Sequence, residues 1–422
     1  MNISRCTTCI ITCFTLAACS AWAMAADRMK PGISPIHSIN PAQRHFEDLA
    51  PFGVAVGNAR VVVLGEQTHG EGDVYSLKVR LVEYLHEAKG FNVLVMESGL
   101  FEGDAIERAR KTGNDVLDMA PGNIFFVYAK TDQARPVFAY IDSQRKAGTP
   151  LEFATFDSQH SGLLSQSTMV DQLAAFLTET GSVLPQSNEW QLFKEQTQAL
   201  LKFSRAAPSP AIQDTYFQLS AQAEQCLSTT DKPALRERAA FWRRVLASMR
   251  SQAKRFWAAD DALADDINQR EEASADNLIW LLGDVFPEKK IVIWTHDVHG
   301  QKSALYGGIK GTLQRVREAL SGTPFYHVYF TAYSGQFRNY ENGALVDIGK
   351  HRTDSLESQL HASGAKYAFV DLQNAATPLR HARLDGYDHS LDVNTPEIGN
   401  FADGVLYIDV MHPTIPAPGF EQ

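Results

Sequence analysis

The sequence predicts an α/β protein: a mostly parallel sheet core with flanking helices and an inserted helical subdomain. Three observations predict it. First, four short apolar runs each end in ionisable residues. Residues 61–64 lead into Glu66 and His69, 93–96 into Glu97, 153–156 into Asp157 and His160, and 291–295 into His296, Asp297 and His299. Such runs, mostly rich in β-branched residues, mark strands buried on both faces of a parallel sheet. Second, strands and helices alternate from Val61 to Asp157, the pattern of an α/β layer. Third, strand signals vanish over residues 165–285, where Leu, Ala, Gln, Glu and Arg recur at helical spacing, and return at Ile291.

Taken in order, residues 1–25 have the form of a targeting segment. Arg5 supplies a small positive start, residues 6–18 are uncharged and mostly apolar, and Ala21-Trp22-Ala23 and Ala23-Met24-Ala25 both fit small-residue cleavage sites. Leu16-Ala17-Ala18-Cys19 also resembles a bacterial lipobox, whose processing leaves Cys19 as an acylated first residue. Either route exports the protein. The expected location is the periplasm, with a lipid anchor at Cys19 if the lipobox is used. Residues 26–57 look like a linker and lead-in, and residues 58–164 the first part of the α/β core. Val74, Leu77, Leu81, Val82 and Leu85 keep helical spacing and predict an amphipathic helix over 72–89. Lys78 falls inside its apolar stripe, and Arg80 points well away from it. A lysine on an apolar face needs an anionic partner, Glu66 or Glu97, unless it snorkels to the surface. The helical insertion, 165–285, is broken near Pro185 and again near Pro208 and Pro210. Residues 286–422 complete the core, with strands expected at 326–332, 367–372 and 405–410.

Composition narrows the function. At 422 residues the chain can bury a large core in one or two domains. A formal net charge of −10 argues against nucleic acid or an anionic membrane surface as partner. Of five cysteines, Cys6, Cys9, Cys13 and Cys19 lie in the targeting segment, so Cys226 has no intrachain partner for a disulfide. It is expected to be a small buried apolar residue on a helix.

The chemistry concentrates at the ends of the four apolar runs, where ligands bind in open parallel sheets. Gly65-Glu66-Gln67-Thr68-His69-Gly70 brackets a histidine with glycines, which permit tight turns close to a ligand. His69 can take a proton from water near neutral pH, and Glu66 is near enough in sequence to hold its imidazole. Glu97 ends a fully apolar strand and needs a cation such as His69, Lys78 or His296. His296 and His299 share a face if the segment after the strand begins a helix. With Glu66 and Glu97 they could bind zinc, or work without metal as base, acid and oxyanion stabiliser. Spacing alone does not decide. Asp157-Ser158-Gln159-His160 is a weaker signal. Arg270 and Asn277, on a helix ending near Trp280, can reach the cleft from the insertion. No Gly-Xaa-Ser-Xaa-Gly elbow, Walker loop, dinucleotide fingerprint or His-Glu-Xaa-Xaa-His helix occurs.

These residues resemble the erythromycin esterase family. The resemblance rests on Leu64 to Gly99, with its Gly-Glu-Xaa-Xaa-His-Gly loop, basic amphipathic helix and glutamate-ended strand. It rests also on Trp294 to His299, similar to the family's His-Asn-Xaa-His, on Phe156 to Gln159, and on Arg270 to Asn277. The resemblance implies an α/β core, a helical insertion and a cleft between them. It implies hydrolysis of an ester or lactone by water, with no covalent serine intermediate. His69 matches the general base, and Glu66, Glu97, His296 and His299 the other active-site residues. Lys78 stands where an arginine is common, Asp297 where asparagine is, and Ile309-Lys310 follows where a Met-Gly pair is usual. More distant relatives include metal-dependent proteases and haem-binding lipoproteins.

The expected protein is therefore an exported hydrolase acting on a small ester or lactone. His69, Glu66, Glu97, His296 and His299 would be catalytic, and Lys78, Asp157 and Arg270 would bind substrate, with no cofactor and no metal ligand assigned. A metal-dependent hydrolase using the same cluster and a non-catalytic haem- or metal-binding lipoprotein are the alternatives. An activity screen, metal analysis and a haem absorption band separate them.

Overall fold

The computed structural model describes residues 31–258, 263–304, 308–387 and 397–421. The targeting segment with Cys19 lies outside the described residues. Among the described residues, nine strands form one mixed, mostly parallel sheet: β1 (Ile33–Pro35), β2 (Val61–Leu64), β3 (Val93–Gly99), β4 (Glu152–Asp157), β5 (Ile291–Trp294), β6 (Phe325–Arg338), β7 (Leu345–Asp347), β8 (Tyr367–Asp371) and β9 (Gly404–Met411). The order is β1-β8-β9-β6-β2-β5-β3-β4, with β7 paired to the far end of β6. From β9 through β6, β2, β5 and β3 to β4 every pairing is parallel, and β8 and β1 add antiparallel strands at one edge.

The four apolar runs are thus neighbours, in the order β2-β5-β3-β4. Val61, Val62, Val63, Leu64 and Ile291 through Trp294 are all fully buried, as a two-faced covering of helices requires. Val62 and Leu64 face the core formed with helix Gly72–Lys89, and Val61 and Val63 face the core formed with the helices of residues 170–286. Each such side chain contributes roughly 1.5–3 kcal/mol by leaving water. Helix Gly72–Lys89 ends at Gly90, whose left-handed φ of 73° caps it without a Cβ penalty.

Between β4 and β5 the chain is helical, with long helices Pro210–Ser228, Arg236–Phe256 and Leu263–Trp280. Their apolar faces bury Trp242, Leu246 and Leu278 against the sheet layer. Cys226 lies on the first of them but is only half-buried, not buried as expected. No described helix is long and apolar enough to cross a membrane.

One expectation needs correction. Part of the segment taken as linker and lead-in, 26–57, belongs to the fold. β1 pairs with β8, and helix Ala50–Val56 buries Phe52 in the main core. A three-residue edge strand carries too little pattern to be read as one. Arg80 also departs from expectation. It points away from the stripe, yet it is buried, because it binds Asp48 at 2.7 and 3.1 Å and the Ser38 carbonyl at 2.8 Å in that segment.

Candidate active site

A cavity of about 560 Å³ opens at the carboxyl ends of β2, β5, β3 and β4. His69, Glu97, Asp157, Arg270, His296 and His299 line it, together with Phe125, Phe337, Tyr340 and Tyr387. Glu66 and Lys78 lie behind His69 and do not line it.

The β2 loop is built by close approach. A Cβ on Gly65 would lie 1.8 Å from the Asp297 carboxylate, and one on Gly70 would lie 1.7 Å from the Arg338 carbonyl. Only glycine allows these packings. Glu71 then locks the turn, since its Oε2 accepts the N–H groups of Gln67 at 2.9 Å and Thr68 at 3.0 Å, and Tyr387 donates to its Oε1. Burial pushes the Glu71 carboxyl up to about 8, against the pull of those hydrogen bonds.

Within this loop His69 Nδ1 stands 3.0 Å from Glu66 Oε1. The same oxygen accepts the Tyr128 hydroxyl at 2.6 Å, and Oε2 receives the Lys78 ammonium. Lys78 is fully buried, also donates to the Thr295 carbonyl at 3.3 Å, and sits 4.9 Å over the Trp294 ring. Burial raises the Glu66 carboxyl, but Lys78 and His69 outweigh it and hold it below its ordinary value. The expectation that Lys78 binds substrate is corrected here: its charge is consumed by Glu66, and no face of it reaches the cavity. The His69 ring packs edge-on to Phe125 and Tyr340, with centroids 4.7 and 5.1 Å away, and lies 4.9 Å from the His296 ring.

Glu97 is the hub of the other half. Its Oε2 accepts from Thr295 Oγ1 at 2.9 Å and the His296 N–H at 2.8 Å. Its Oε1 faces His299 Nε2 at 3.2 Å, Arg270 Nη2 at 3.6 Å and His69 Nε2 at 4.0 Å. Burial opposes the Glu97 charge, but these cations, led by His299, hold its pKa well below the usual range. Arg270 makes a bidentate pair with Asp157 at 2.7 and 3.2 Å. Burial works against the guanidinium, and Asp157 and Glu97 overcome it and raise its pKa.

The segment after β5 turns into a short helix, Asp297–Gly300, with His296 as its N-cap. His296 Nδ1 accepts the Val298 N–H at 3.0 Å, so its ring proton sits on Nε2. His299 meets Glu271 Oε1 at 2.6 Å from Nδ1; the oxygen lies off the N–H axis, so the contact is chiefly an ion pair. Burial disfavours the imidazolium, but Glu271 and Glu97 outweigh it and push its pKa up to about 10. Asp297 turns under the β2 loop, where its Oδ1 stands 2.9 Å from His327 Nε2.

Two residues singled out in the sequence serve the frame instead. His160 is buried 3.4 Å from Glu102, and Asn277 donates to the Phe156 carbonyl at 3.1 Å. Sequence reasoning missed Tyr128 and Glu271. Tyr128 carries no motif at all. Glu271 had a faint signal, because it follows Arg270 on a helix that turns Arg270, Ser274 and Asn277 inward. Among the described residues, three imidazole and carboxylate ligand atoms come within 4.8 Å of one another only at His351, Glu357 and Asp385, which do not line the cavity.

Comparison with known proteins adds a lineage. The family model described as erythromycin esterase matches residues 86–395, beginning after the loop of Glu66 and His69. The Bacillus subtilis (strain 168) protein YbfO, named as a candidate hydrolase, is 24% identical over 323 residues, 69% of each chain. An Escherichia coli protein named erythromycin esterase type II is 20% identical over 385 residues, 81% of this chain and 87% of its own. Among solved structures, a Bacillus cereus protein has a TM-score of 0.73 at 19% identity, over 94% of this chain and 99% of its own. An erythromycin esterase mutant in its open conformation has a TM-score of 0.66 at 15% identity, over 90% and 98%.

Proposed function

The chain belongs to the erythromycin esterase family, and we propose that it is an exported hydrolase that cleaves a carboxylic ester or lactone with a water molecule activated by His69. One observation carries the reading. His69 is held on one side only: Glu66 takes its Nδ1–H, which leaves the Nε2 lone pair toward the cavity, 4.0 Å from Glu97 Oε1. That gap fits one water donating to both acceptors.

In the reaction the water oxygen forms a bond to the carbonyl carbon while its proton passes to His69 Nε2. The imidazolium that forms is balanced by Glu66, whose orientation Tyr128 and Lys78 already fix. The negative charge on the carbonyl oxygen is met by His296 Nε2–H and the charged His299, both in place before the reaction. Collapse breaks the bond to the alkoxide, which leaves with the proton from His69 Nε2. Asp157 and Arg270 form a charged rim for orienting the substrate. Export rests on residues 1–25, with Cys19 as the lipid anchor if the lipobox is read.

The test is a screen of lactones and simple esters with wild type and His69→Gln. The variant loses at least about a hundredfold in kcat/KM, the scale of a lost general base, while remaining folded. Retained activity with an unchanged pH profile removes His69 from the mechanism.

A further inference from the structure

We propose that Glu271 is a positioning residue of this site, clamping His299 from behind so that its ring offers a fixed, charged Nε2–H to Glu97 and to the reacting carbonyl oxygen. The inference rests on the hydrolase reading above and adds a residue to it. Glu271 is 1% exposed and lies on helix Leu263–Trp280, outside every strand-end motif. Both of its oxygens are committed. Oε1 stands 2.6 Å from His299 Nδ1, and Oε2 accepts the N–H and hydroxyl of Thr312 at 2.7 and 2.8 Å. Thr312 is the first residue of helix Thr312–Ala319. The carboxylate is therefore anchored at one end to a second helix and presents its other end to the imidazole.

His299 consequently has a carboxylate at each nitrogen, Glu271 behind and Glu97 in front at 3.2 Å. A buried imidazole between two anions is most stable with a proton on each nitrogen. The remaining charges around it do not reverse this. Arg270 extends from the same helix but is spent on Asp157 of β4 and Glu97 of β3, and His69 reaches only the far side of Glu97. The pair Arg270-Glu271 thus delivers opposite charges to the two halves of the site. It also explains a division of labour: His299, held charged, cannot serve as base, and that task falls to His69, which has a carboxylate at hydrogen-bond range on only one nitrogen.

A capping role for Glu271 toward helix Thr312–Ala319 alone would give the same hydrogen bonds to Thr312, so the test reads the imidazole. In ligand-free wild type, nitrogen NMR of labelled histidine shows His299 protonated on both nitrogens at pH 8. In Glu271→Gln, which keeps the shape and an acceptor for Thr312, His299 has lost one proton at that pH. Its kcat falls about 10- to 100-fold, short of the roughly 10²–10³ of a whole oxyanion donor, with KM within about threefold. Glu271→Asp restores part of the kcat. A neutral His299 in wild type at pH 8 overturns the proposal, and needs no variant to fold. So does a Glu271→Gln protein with unchanged His299 signals and kcat within twofold, which would leave Glu271 as a helix cap. Because the NMR reading uses no substrate, a protein that hydrolyses no ester refutes the hydrolase reading while the clamp is still decided.

Discussion

Replacing Lys78 by methionine keeps the apolar stem of a fully buried side chain and deletes the ammonium that pairs with Glu66. Tyr128 at 2.6 Å and His69 at 3.0 Å still reach Oε1. Oε2 loses its ammonium partner in a fully buried site. An uncompensated buried carboxylate of this kind costs roughly 3–5 kcal/mol. Protonation sets a ceiling, because a carboxyl with an unfolded-state pKa of about 4.3 can take a proton at pH 7 for about 3.7 kcal/mol. The expected loss of stability is therefore about 3–4 kcal/mol at pH 7 and about 1 kcal/mol at pH 5. The sign follows from the variant's Glu66, whose folded pKa lies above its unfolded value: its protonated form is kept without cost below the unfolded pKa, and the deficit grows as pH rises from there. Urea denaturation of wild type and Lys78→Met at the two pH values measures it. A deficit equal at both values would mean that only packing was lost and that the ion pair is not what holds Glu66. A protonated Glu66 also ceases to balance the His69 imidazolium, so kcat falls with stability. Arg80→Met is the control. It breaks the buried contact with Asp48 and lowers stability, but leaves kcat unchanged.

Two further outcomes test the wider reading. Exhaustive chelation leaves most of the hydrolytic activity intact, since the acids and bases of the cavity suffice; complete loss restored by a single metal would put the metal-dependent reading first. Cys19→Ser abolishes acyl labelling and membrane association if the lipobox is used; N-terminal sequencing of the wild type that begins at Met24 or Ala26 would refute lipidation.

The strand ends were readable because burial on both faces leaves an unbroken apolar run, and an ionisable residue after such a run has few reasons to be there other than a cleft. The four runs needed only to be neighbours for the cluster to form, and the β2-β5-β3-β4 order makes them so. Helix Gly72–Lys89 was equally plain from its spacing, down to the inward Lys78.

The partners across the site were not readable, and the strand order is the reason. β5, distant in sequence, inserts between β2 and β3. Lys78, on the helix that follows β2, therefore lies beside Glu66 and the Thr295 carbonyl, and cannot pair with Glu97. Glu97 instead meets Arg270, from the last helix of the insertion, and His299, from the segment after β5. Tyr128 and Glu271 come from helices with no strand-end signature, where a tyrosine or glutamate is ordinary on any face. Only the sheet turns them toward Glu66 and His299. Helical periodicity specifies which way a side chain points relative to its own element, and strand-end motifs specify where the chemistry gathers. Which carboxylate ends up beneath which cation depends on the crossover connections, and these are set by packing between segments more than a hundred residues apart: Glu97 to Arg270, Lys78 to Thr295, Asp157 to Ser274. The same consideration explains why the contact between His69 and Glu66 was legible while the surroundings of Lys78 were not. His69 and Glu66 are three residues apart on one loop, so their contact is local and follows from the turn. The surroundings of Lys78 are assembled from the ends of β2 and β5 and from Phe330 of β6, and no single stretch of sequence contains them.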